Sequence, residues 1–438
     1  MKKVLMFFFV SVGLIAQNIN KEKLDNYFLQ LQKNNKILGS SAVLKDGNIV
    51  YQKAIGFADV VVKKTNTVHT KFRVGSISKT FTTVLIFKAI ENGKLTLETS
   101  LDNFFPTVQN SSSITIKNLL NHSSGIFNFT NSNDYVKYYT SAKSREELLQ
   151  IINKYESDFK PGSKHSYSNS NFVLLSFILE DVFKSTYASI LQKYIAKPLQ
   201  LKNTYVGGKL DVVDNECKSY NYAFKNWNEM PETDMSIPLG AGAVVSTPSD
   251  LLTFIDALFN EKLITKHHVD LMTTIENDYG LGIFKYPFGK QYGFGHGGGI
   301  DGFKSILMYF PEKKIGIATT TNGIGPDFQL NSLSLVLLRA ANNIDFSIPD
   351  FKEIKVDVNI LKSYEGVYAS KNMPLKITIK EEESKLSAQA TGQSAFQLTA
   401  KSKTQFTYSI AGIVLEFSPE KNEMILKQGG GLYTFTKQ

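Results

Sequence analysis

The chain has 438 residues, of which 42% are hydrophobic and 20% are charged, an ordinary composition for a globular protein. The length predicts two domains, or one large domain with an appendage. The formal net charge is +9, but the basic residues are scattered along the chain, which argues against a nucleic-acid-binding surface. The single cysteine, Cys217, excludes an intramolecular disulfide.

The N-terminus has the pattern of an export signal. Two lysines precede an apolar run from Val4 to Ala16, after which the sequence becomes polar. The run has the length of a signal-peptide core and is too short to span a bilayer comfortably. We therefore predict that residues 1–16 are a signal peptide, that the protein is periplasmic or extracellular, and that it has no stable membrane anchor.

The order of the predicted elements indicates an α+β fold. Apolar periodicity and capping residues predict helices at 20–34, 80–89, 115–122, 145–155, 171–183, 186–195, 247–259 and 333–341. Alternating segments predict a hairpin at 42–51 and strands at 279–284, 292–296, 303–310 and 314–321. We therefore expect an antiparallel sheet built from both ends of this region, flanked by helices, with a helical subdomain inserted between.

Near Pro349 the sequence pattern changes from helical periodicity and longer strands to short alternating runs. Between Leu361 and Phe435, about eight short alternating runs are separated by turn signals, which predicts a small antiparallel β-barrel. This part contains no His, no Cys and no catalytic pattern. We therefore predict a catalytic domain at 17–347 and a small all-β barrel domain at 350–438.

The stretch Phe72-Arg-Val-Gly-Ser-Ile-Ser-Lys79 carries the first candidate catalytic pair. Ser76 lies where a helix begins, next to free N–H groups and the positive end of the helix dipole. Lys79 is three residues further on, on the same face. Burial lowers the pKa of a lysine, so that it can take the proton of a nucleophilic serine. Ser-x-x-Lys also begins at Ser157 and Ser418, so the motif alone does not establish a nucleophile.

A second polar stretch, His165-Ser-Tyr-Ser-Asn169, precedes a buried helix. Tyr167 can exchange a proton with a neighbouring serine or leaving group, and Asn169 can donate an amide hydrogen bond to a substrate carbonyl. The alternative is a polar loop with helix-capping side chains. We expect His165 itself at the surface, and the pair His267-His268 on a solvated helix face.

A third stretch, Gly295-His-Gly-Gly-Gly299, lies in a predicted strand. Glycines there let a ligand approach the backbone, and their N–H groups can stabilise an oxyanion. The alternative is a glycine-rich turn with an incidental His296. A phosphate site is disfavoured because no helix follows the glycines.

In this order, the three stretches resemble the penicillin-recognising serine hydrolases, which include class C β-lactamases, D-alanyl-D-alanine carboxypeptidases, D-aminopeptidases and related esterases. Two further segments are also similar to sequences of that family: Leu119-Leu-Asn-His-Ser-Ser-Gly125 and Ser246-Thr-Pro-Ser-Asp250. The resemblance covers about residues 20–345. The C-terminal part is similar to the lipocalin-like β domain appended to some members.

The resemblance implies an acyl-enzyme mechanism. Ser76 would attack a carbonyl, and Lys79 and Tyr167 would move protons; which of the two is the general base stays open. The remaining positions are expected to bind substrate (Asn169, His296, Gly298) or to form the oxyanion hole with their backbone N–H groups (Ser76, Gly299).

His296 departs from the β-lactamase pattern, which has a lysine that helps to bind the substrate carboxylate. A histidine is shorter and only partly charged near neutral pH, which weakens the case for efficient β-lactam hydrolysis. The chain resembles instead the His-x-Gly branch. No metal-ligand spacing is present, so we expect no metal or other cofactor.

We therefore expect an exported serine hydrolase for small peptides, amides or esters, including D-amino-acid-containing peptides derived from cell wall. A carboxylesterase, a weak β-lactamase and a slowly acylated penicillin-binding sensor without turnover stay open as alternatives. The sequence does not determine the oligomeric state or the role of the C-terminal domain.

Overall fold

The structure is a computed structural model that describes residues 19–277, 279–326, 328–352, 354–371, 373–408, 412–428 and 431–438. The predicted signal peptide, residues 1–16, lies outside the described residues. Within the ranges just given, no helix combines the length and the apolar character that crossing a bilayer requires.

The helices agree closely with the sequence prediction. They are α1 (Lys21–Lys33), α2 (Ser78–Glu91), α3 (Ile116–Leu120), α4 (Arg145–Asn153), α5 (Asn169–Phe183), α6 (Tyr187–Leu191), α7 (Pro248–Phe259), α8 (Lys266–Thr273), α9 (Leu330–Ala341) and α10 (Val358–Ser363). Thr247 caps α7 by accepting a hydrogen bond from the Asp250 N–H, and Pro248 occupies the first helical position. The sequence analysis placed His267 and His268 on a helix, which is α8, but it did not predict α10.

The strands of the larger, N-terminal part of the chain are β1 (Ile37–Lys45), β2 (Asn48–Ile55), β3 (Phe57–Asp59), β4 (Lys64–Thr65), β5 (Phe72–Arg73), β6 (Tyr205–Val206), β7 (Tyr220–Ala223), β8 (Asn226–Glu229), β9 (Val244–Ser246), β10 (Phe284–Phe288), β11 (Gln291–Ile300), β12 (Phe303–Phe310) and β13 (Ile315–Ile324). The main sheet has the order β10-β11-β12-β13-β1-β2, and β7 and β8 extend from β13. Apart from the parallel β13–β7 pair, its neighbours are antiparallel. The predicted sheet, built from both ends of this region, is therefore confirmed.

One predicted strand, 279–284, is wrong. Tyr279 makes only isolated bridges, to Glu276 and Phe284, and the strand β10 begins at Phe284. Gly282 has a φ of +67° and turns the chain between these points.

The C-terminal part is an all-β unit, as predicted. Its strands are β14 (Gly366–Ala369), β15 (Lys376–Glu382), β16 (Lys385–Ala390), β17 (Phe396–Gln397), β18 (Thr399–Ala400), β19 (Gln405–Tyr408), β20 (Ile413–Ser418), β21 (Glu423–Gln428) and β22 (Gly431–Lys437). They form one barrel-like sheet in the order β17-β16-β15-β14-β22-β21-β20-β19-β18. Aromatic and aliphatic side chains fill its inside, with the Tyr364 ring stacked on Phe417 at 4.4 Å. The α+β fold with an added barrel is confirmed, whereas the domain bounds stay predictions.

Helix α2 is the most deeply placed element of the larger part. It packs against α5, and it contacts α7 through the stacked rings of Phe81 and Phe254. Its side chains from Ser78 to Phe87 are all buried. A second apolar cluster lies on the opposite face of the sheet, under α1 and α9. Because α2 is enclosed on all sides, groups in its first turn are held away from water.

Gly282 shows how tightly α2 is enclosed, and we expect Gly282→Ala to be strongly destabilising. A Cβ there would lie 1.9 Å from Thr83 Oγ1, at a φ of +67°. The variant should lose about 3 kcal/mol of unfolding free energy, from the clash and the left-handed backbone together. Gly289→Ala is the matched control, because Gly289 has a φ of +60° and no atom near its Cβ position. It should lose only about 1 kcal/mol. Urea unfolding measures both losses, and equal losses would contradict the predicted clash.

Candidate active site

The structure brings Ser76 and Lys79 together at the start of α2. Gly75–Ile77 forms a single 3-10 turn that leads directly into the helix. The Lys79 Nζ lies 3.1 Å from Ser76 Oγ. It also donates hydrogen bonds to Asn169 Oδ1 at 2.7 Å and to the Ala241 carbonyl at 2.8 Å. Three separate segments of the chain therefore meet at one amine.

The Lys79 amine is fully buried between aromatic rings. It lies 4.8 Å from the centroid of the Tyr167 ring and 5.5 Å from that of Phe172. Burial disfavours the charged form and lowers the pKa of Lys79 well below its usual value of 10.5. In the neutral amine, the two N–H groups serve Asn169 and Ala241, and the lone pair is left for the Ser76 proton.

Tyr167 lies in the loop that precedes α5, with its hydroxyl hydrogen-bonded to Ser76. Burial raises the pKa of Tyr167 well above its usual value, and the bond to Ser76 offsets this only in part. The phenol therefore keeps its proton at neutral pH. The arrangement suits Tyr167 to donate or relay a proton rather than to remove one.

Asn169 is the first residue of α5, and both ends of its amide are engaged. The Oδ1 atom accepts from Lys79, and Nδ2 donates to Thr130 Oγ1 at 3.0 Å. Asn169 thus helps to hold the catalytic amine in place. Its predicted contact with substrate stays a prediction.

The predicted oxyanion-hole residues lie side by side. A Cβ on Gly75, which has a φ of +52°, would lie only 2.6 Å from Gly299 N. This approach sets the backbone of Ser76 against that of Gly299, and both residues line the same cleft. A Cβ on Gly298 would lie 1.9 Å from the Val74 carbonyl, so Gly298 permits the approach. Its predicted contact with substrate stays untested.

His296 is near these groups but not at the surface of the cleft. Its ring is 2% exposed, and its Nε2 lies 3.0 Å from the Tyr279 hydroxyl. Its centroid is 6.4 Å from that of Tyr167. Burial lowers the pKa of His296 to about 3, so the ring is neutral near pH 7. The substrate-binding role of His296 stays a prediction, and its burial argues against a cationic contact.

A cleft of about 340 Å³ opens beside Ser76. Its walls are mainly apolar and aromatic, including Phe129, Tyr135, Tyr139 and Ile300. Asp301 is the one acidic residue among the described residues that line the cleft, and these include no lysine, arginine or histidine.

The Asp301 carboxylate is held by Arg73 and Thr233, a cluster that the sequence analysis did not identify. The Arg73 guanidinium is fully buried and donates to Asp301 Oδ2 at 3.1 Å and to the carboxylate of Glu232. The Thr233 hydroxyl donates to Asp301 Oδ1 at 2.5 Å. Arg73 stands in the quoted Ser76 motif, but its partners lie 159 and 228 residues away in the chain, so no local pattern could reveal them.

His122 is a second residue that the sequence analysis left without a role. Its backbone has a φ of +60°, and its carbonyl accepts from the Ser166 N–H at 3.0 Å. Its Nδ1 accepts from the Ser168 N–H at 3.2 Å, so Nε2 carries the proton. The buried ring packs on Tyr167 with a centroid distance of 4.3 Å. His122 therefore holds the loop that contains Tyr167 in place, through hydrogen bonds to the residues on both sides of that tyrosine.

The other predicted histidines differ partly from expectation. His165 is half-buried, with its ring centroid 6.0 Å from that of His122, rather than exposed. His267 is exposed as predicted, but His268 stacks on Phe87 at 4.7 Å. Among the described residues, no group of three or more His, Cys, Asp or Glu could hold a metal ion.

We expect His122→Ala to lower kcat by roughly a hundredfold, because misplacement of Tyr167 by even one ångström weakens proton transfer. His122→Asn is the matched control: its amide oxygen can replace Nδ1, and asparagine tolerates a positive φ. The Asn variant should recover part of the lost kcat, while KM changes little in either variant. Steady-state kinetics test this, on samples of the variants and the wild type whose melting temperatures are similar. Wild-type kcat in a folded His122→Ala protein would contradict it.

Comparison with known proteins agrees with this geometry. The family model described as Beta-lactamase matches residues 24–341. Penicillin-binding protein 4* of Bacillus subtilis is 26% identical over 91% of this chain and 94% of that protein. The teichoic acid D-alanine hydrolase of Staphylococcus aureus is also 26% identical, over 62% of this chain and 65% of that enzyme.

A solved structure shows the same fold. The D-stereospecific amidohydrolase from Streptomyces sp. superposes with a TM-score of 0.62 and 25% identity, over 72% of this chain and 98% of that one. The match to the family model spans most of the chain and includes every residue of the proposed site. The chain therefore belongs to the beta-lactamase family and is a serine hydrolase, as its sequence predicts.

Proposed function

We propose that this protein hydrolyses small D-aminoacyl amides or esters through an acyl intermediate on Ser76. The observation that carries the proposal is the placement of the Lys79 amine. Its Nζ donates to Asn169 and to Ala241 and lies 3.1 Å from Ser76 Oγ, so in the neutral amine a lone pair is left to face the serine. A buried, neutral amine in this position is a base for the serine proton.

The reaction then has two halves. Ser76 Oγ bonds to the substrate carbonyl carbon while Lys79 takes its proton, and the backbone N–H groups of Ser76 and Gly299 stabilise the oxyanion. The bond to the leaving amine or alcohol breaks, and Tyr167 relays to that group the proton that Lys79 took, so that Lys79 is neutral again. Water then attacks the acyl-enzyme, its proton returns through the same groups, and the free acid leaves.

The assignment of Lys79 as base rests on the opposite effects of burial on the two groups. Burial lowers the pKa of the lysine, which favours its neutral form, and raises that of the tyrosine, which holds its proton more firmly. A neutral lysine can accept a proton, whereas a neutral tyrosine can only donate or relay one. The two groups are close enough to titrate as a pair.

The substrate class follows from the lining of the cleft and from the named relatives. β-Lactams and D-alanyl-D-alanine peptides carry a carboxylate, but the described cleft lining offers no cationic side chain to pair with it. Amides and esters without a carboxylate fit this lining better. The names of the Staphylococcus and Streptomyces relatives indicate a D-alanine hydrolase and a D-stereospecific amidohydrolase.

We also propose that the reaction takes place outside the cytoplasm. The support is the charged and apolar pattern of residues 1–16 together with the two named envelope-related proteins, a penicillin-binding protein and a teichoic acid hydrolase. Cell-wall-derived D-aminoacyl compounds are then the accessible substrates.

The test of the proposed function is intact-mass spectrometry with D-alanine p-nitroanilide, a D-alanine ester and benzylpenicillin, with Ser76→Ala alongside. We expect turnover of a D-aminoacyl substrate and a drop of at least about a thousandfold in the variant. Turnover of simple esters alone would favour the carboxylesterase. A stable penicillin adduct without any turnover would favour the sensor, and unchanged turnover by Ser76→Ala would refute the mechanism.

The pH dependence of kcat/KM should report Lys79 and not His296. Lys79 acts only when neutral, so activity should be lost as pH falls through its lowered pKa. His296, with a pKa of about 3, is already neutral over that range. His296→Gln should therefore leave the midpoint of the acid limb unchanged, even if it lowers the rate. If kcat/KM of the wild type instead falls with a midpoint near pH 6.5, and this fall is absent in His296→Gln, the base would be His296.

A further inference from the structure

The cleft has an aromatic wall on one side of Ser76, formed by Phe129, Tyr135 and Tyr139. The rings of Tyr135 and Tyr139 are nearly parallel, with centroids 5.6 Å apart. The Phe129 ring meets Tyr135 edge-on at 6.1 Å. Phe129 is fully buried, whereas the two tyrosines are half-buried and face the cleft that Ser76 also lines.

The wall is attached to the catalytic residues at its N-terminal end. The Asn169 N–H donates to Asn128 Oδ1 at 3.0 Å, and the Phe129 N–H donates to Ser170 Oγ at 3.2 Å. The first turn of α5 thus carries both Asn169, which touches Lys79, and the start of the aromatic wall. An acyl group bonded to Ser76 would lie in the cleft that this wall lines.

The wall is also fixed to the opposite side of the cleft. The Tyr135 hydroxyl bonds to the side chain of Thr233, which in turn donates to Asp301. The Asp234 N–H donates to the Tyr139 carbonyl at 2.9 Å. These bonds hold the rings in place before substrate arrives, so little ordering is needed on binding.

We propose that the aromatic wall is the binding site for a large apolar side chain on the acyl group, so that the enzyme prefers aromatic or large aliphatic D-aminoacyl substrates to D-alanyl ones. This inference rests on the proposed function, because it concerns the acyl group that Ser76 would receive. A methyl side chain leaves most of the roughly 340 Å³ cleft in contact with water. An aromatic side chain removes both its own surface and that of the rings from water.

The test compares kcat/KM for D-phenylalanine p-nitroanilide and D-alanine p-nitroanilide, which share one leaving group. We expect the full-length protein to prefer the phenylalanine substrate by about 10- to 100-fold. Tyr139→Ala should reduce this ratio to near one, because it removes a face of the wall. Tyr135→Phe keeps the ring and should retain most of the preference.

Val136→Ala is the control for changes in the same turn, because Val136 is 71% exposed and does not line the cleft. It should leave the ratio unchanged. Turnover of both substrates with D-alanine equal or preferred would overturn the inference and leave the proposed function in place. No turnover and no Ser76 adduct with either substrate would overturn both. A wild-type preference that survives Tyr139→Ala would show that other residues select the side chain.

Discussion

The burial of one amine is the constraint on which the site depends. A charged lysine enclosed by protein carries a desolvation penalty of several kcal/mol, which lowers the pKa of Lys79 and favours its neutral form. A neutral amine with two buried N–H groups still needs two acceptors, which come from the start of α5 and from the turn before β9. These requirements fix α2, α5 and that turn against one another. The basicity of the site is therefore a product of packing.

The fold also brings the glycine-rich strand β11 against the start of α2, next to Ser76. Only glycine at position 75 permits its close approach to Gly299. Ser305, on the neighbouring strand β12, donates to the Val74 carbonyl at 2.7 Å and so ties the sheet to the segment that precedes α2. The main sheet makes this possible because β12 and β13 pair with β1, from the opposite end of the region. Strands far apart in sequence thus bring the backbone of Gly299 against the turn that carries Ser76.

The sequence analysis found those parts of the site that have a local pattern. Ser76 and Lys79 are one helical turn apart, and the glycines of β11 are consecutive. Neither pattern is decisive alone, but the order of the three stretches along the chain indicates them together. The roles of Arg73 and His122 depend on partners 40 to 230 residues away, about which periodicity carries no information. The strand expected at 279–284 failed because Gly282 turns the backbone there. Apolar alternation cannot distinguish such a turn from a strand.

Burial lowers the pKa of His296 as it does that of Lys79, and this changes what the site can recognise. His296 stands where related enzymes have a lysine, but it is enclosed by Tyr279 and Tyr167 and stays neutral. The described lining of the cleft therefore lacks the cation that would pair with a carboxylate. Apart from the Asp301 carboxylate, the described lining can therefore discriminate between substrates mainly by shape and apolar contact. The aromatic wall, which is already hydrogen-bonded in place, is the surface that can provide it.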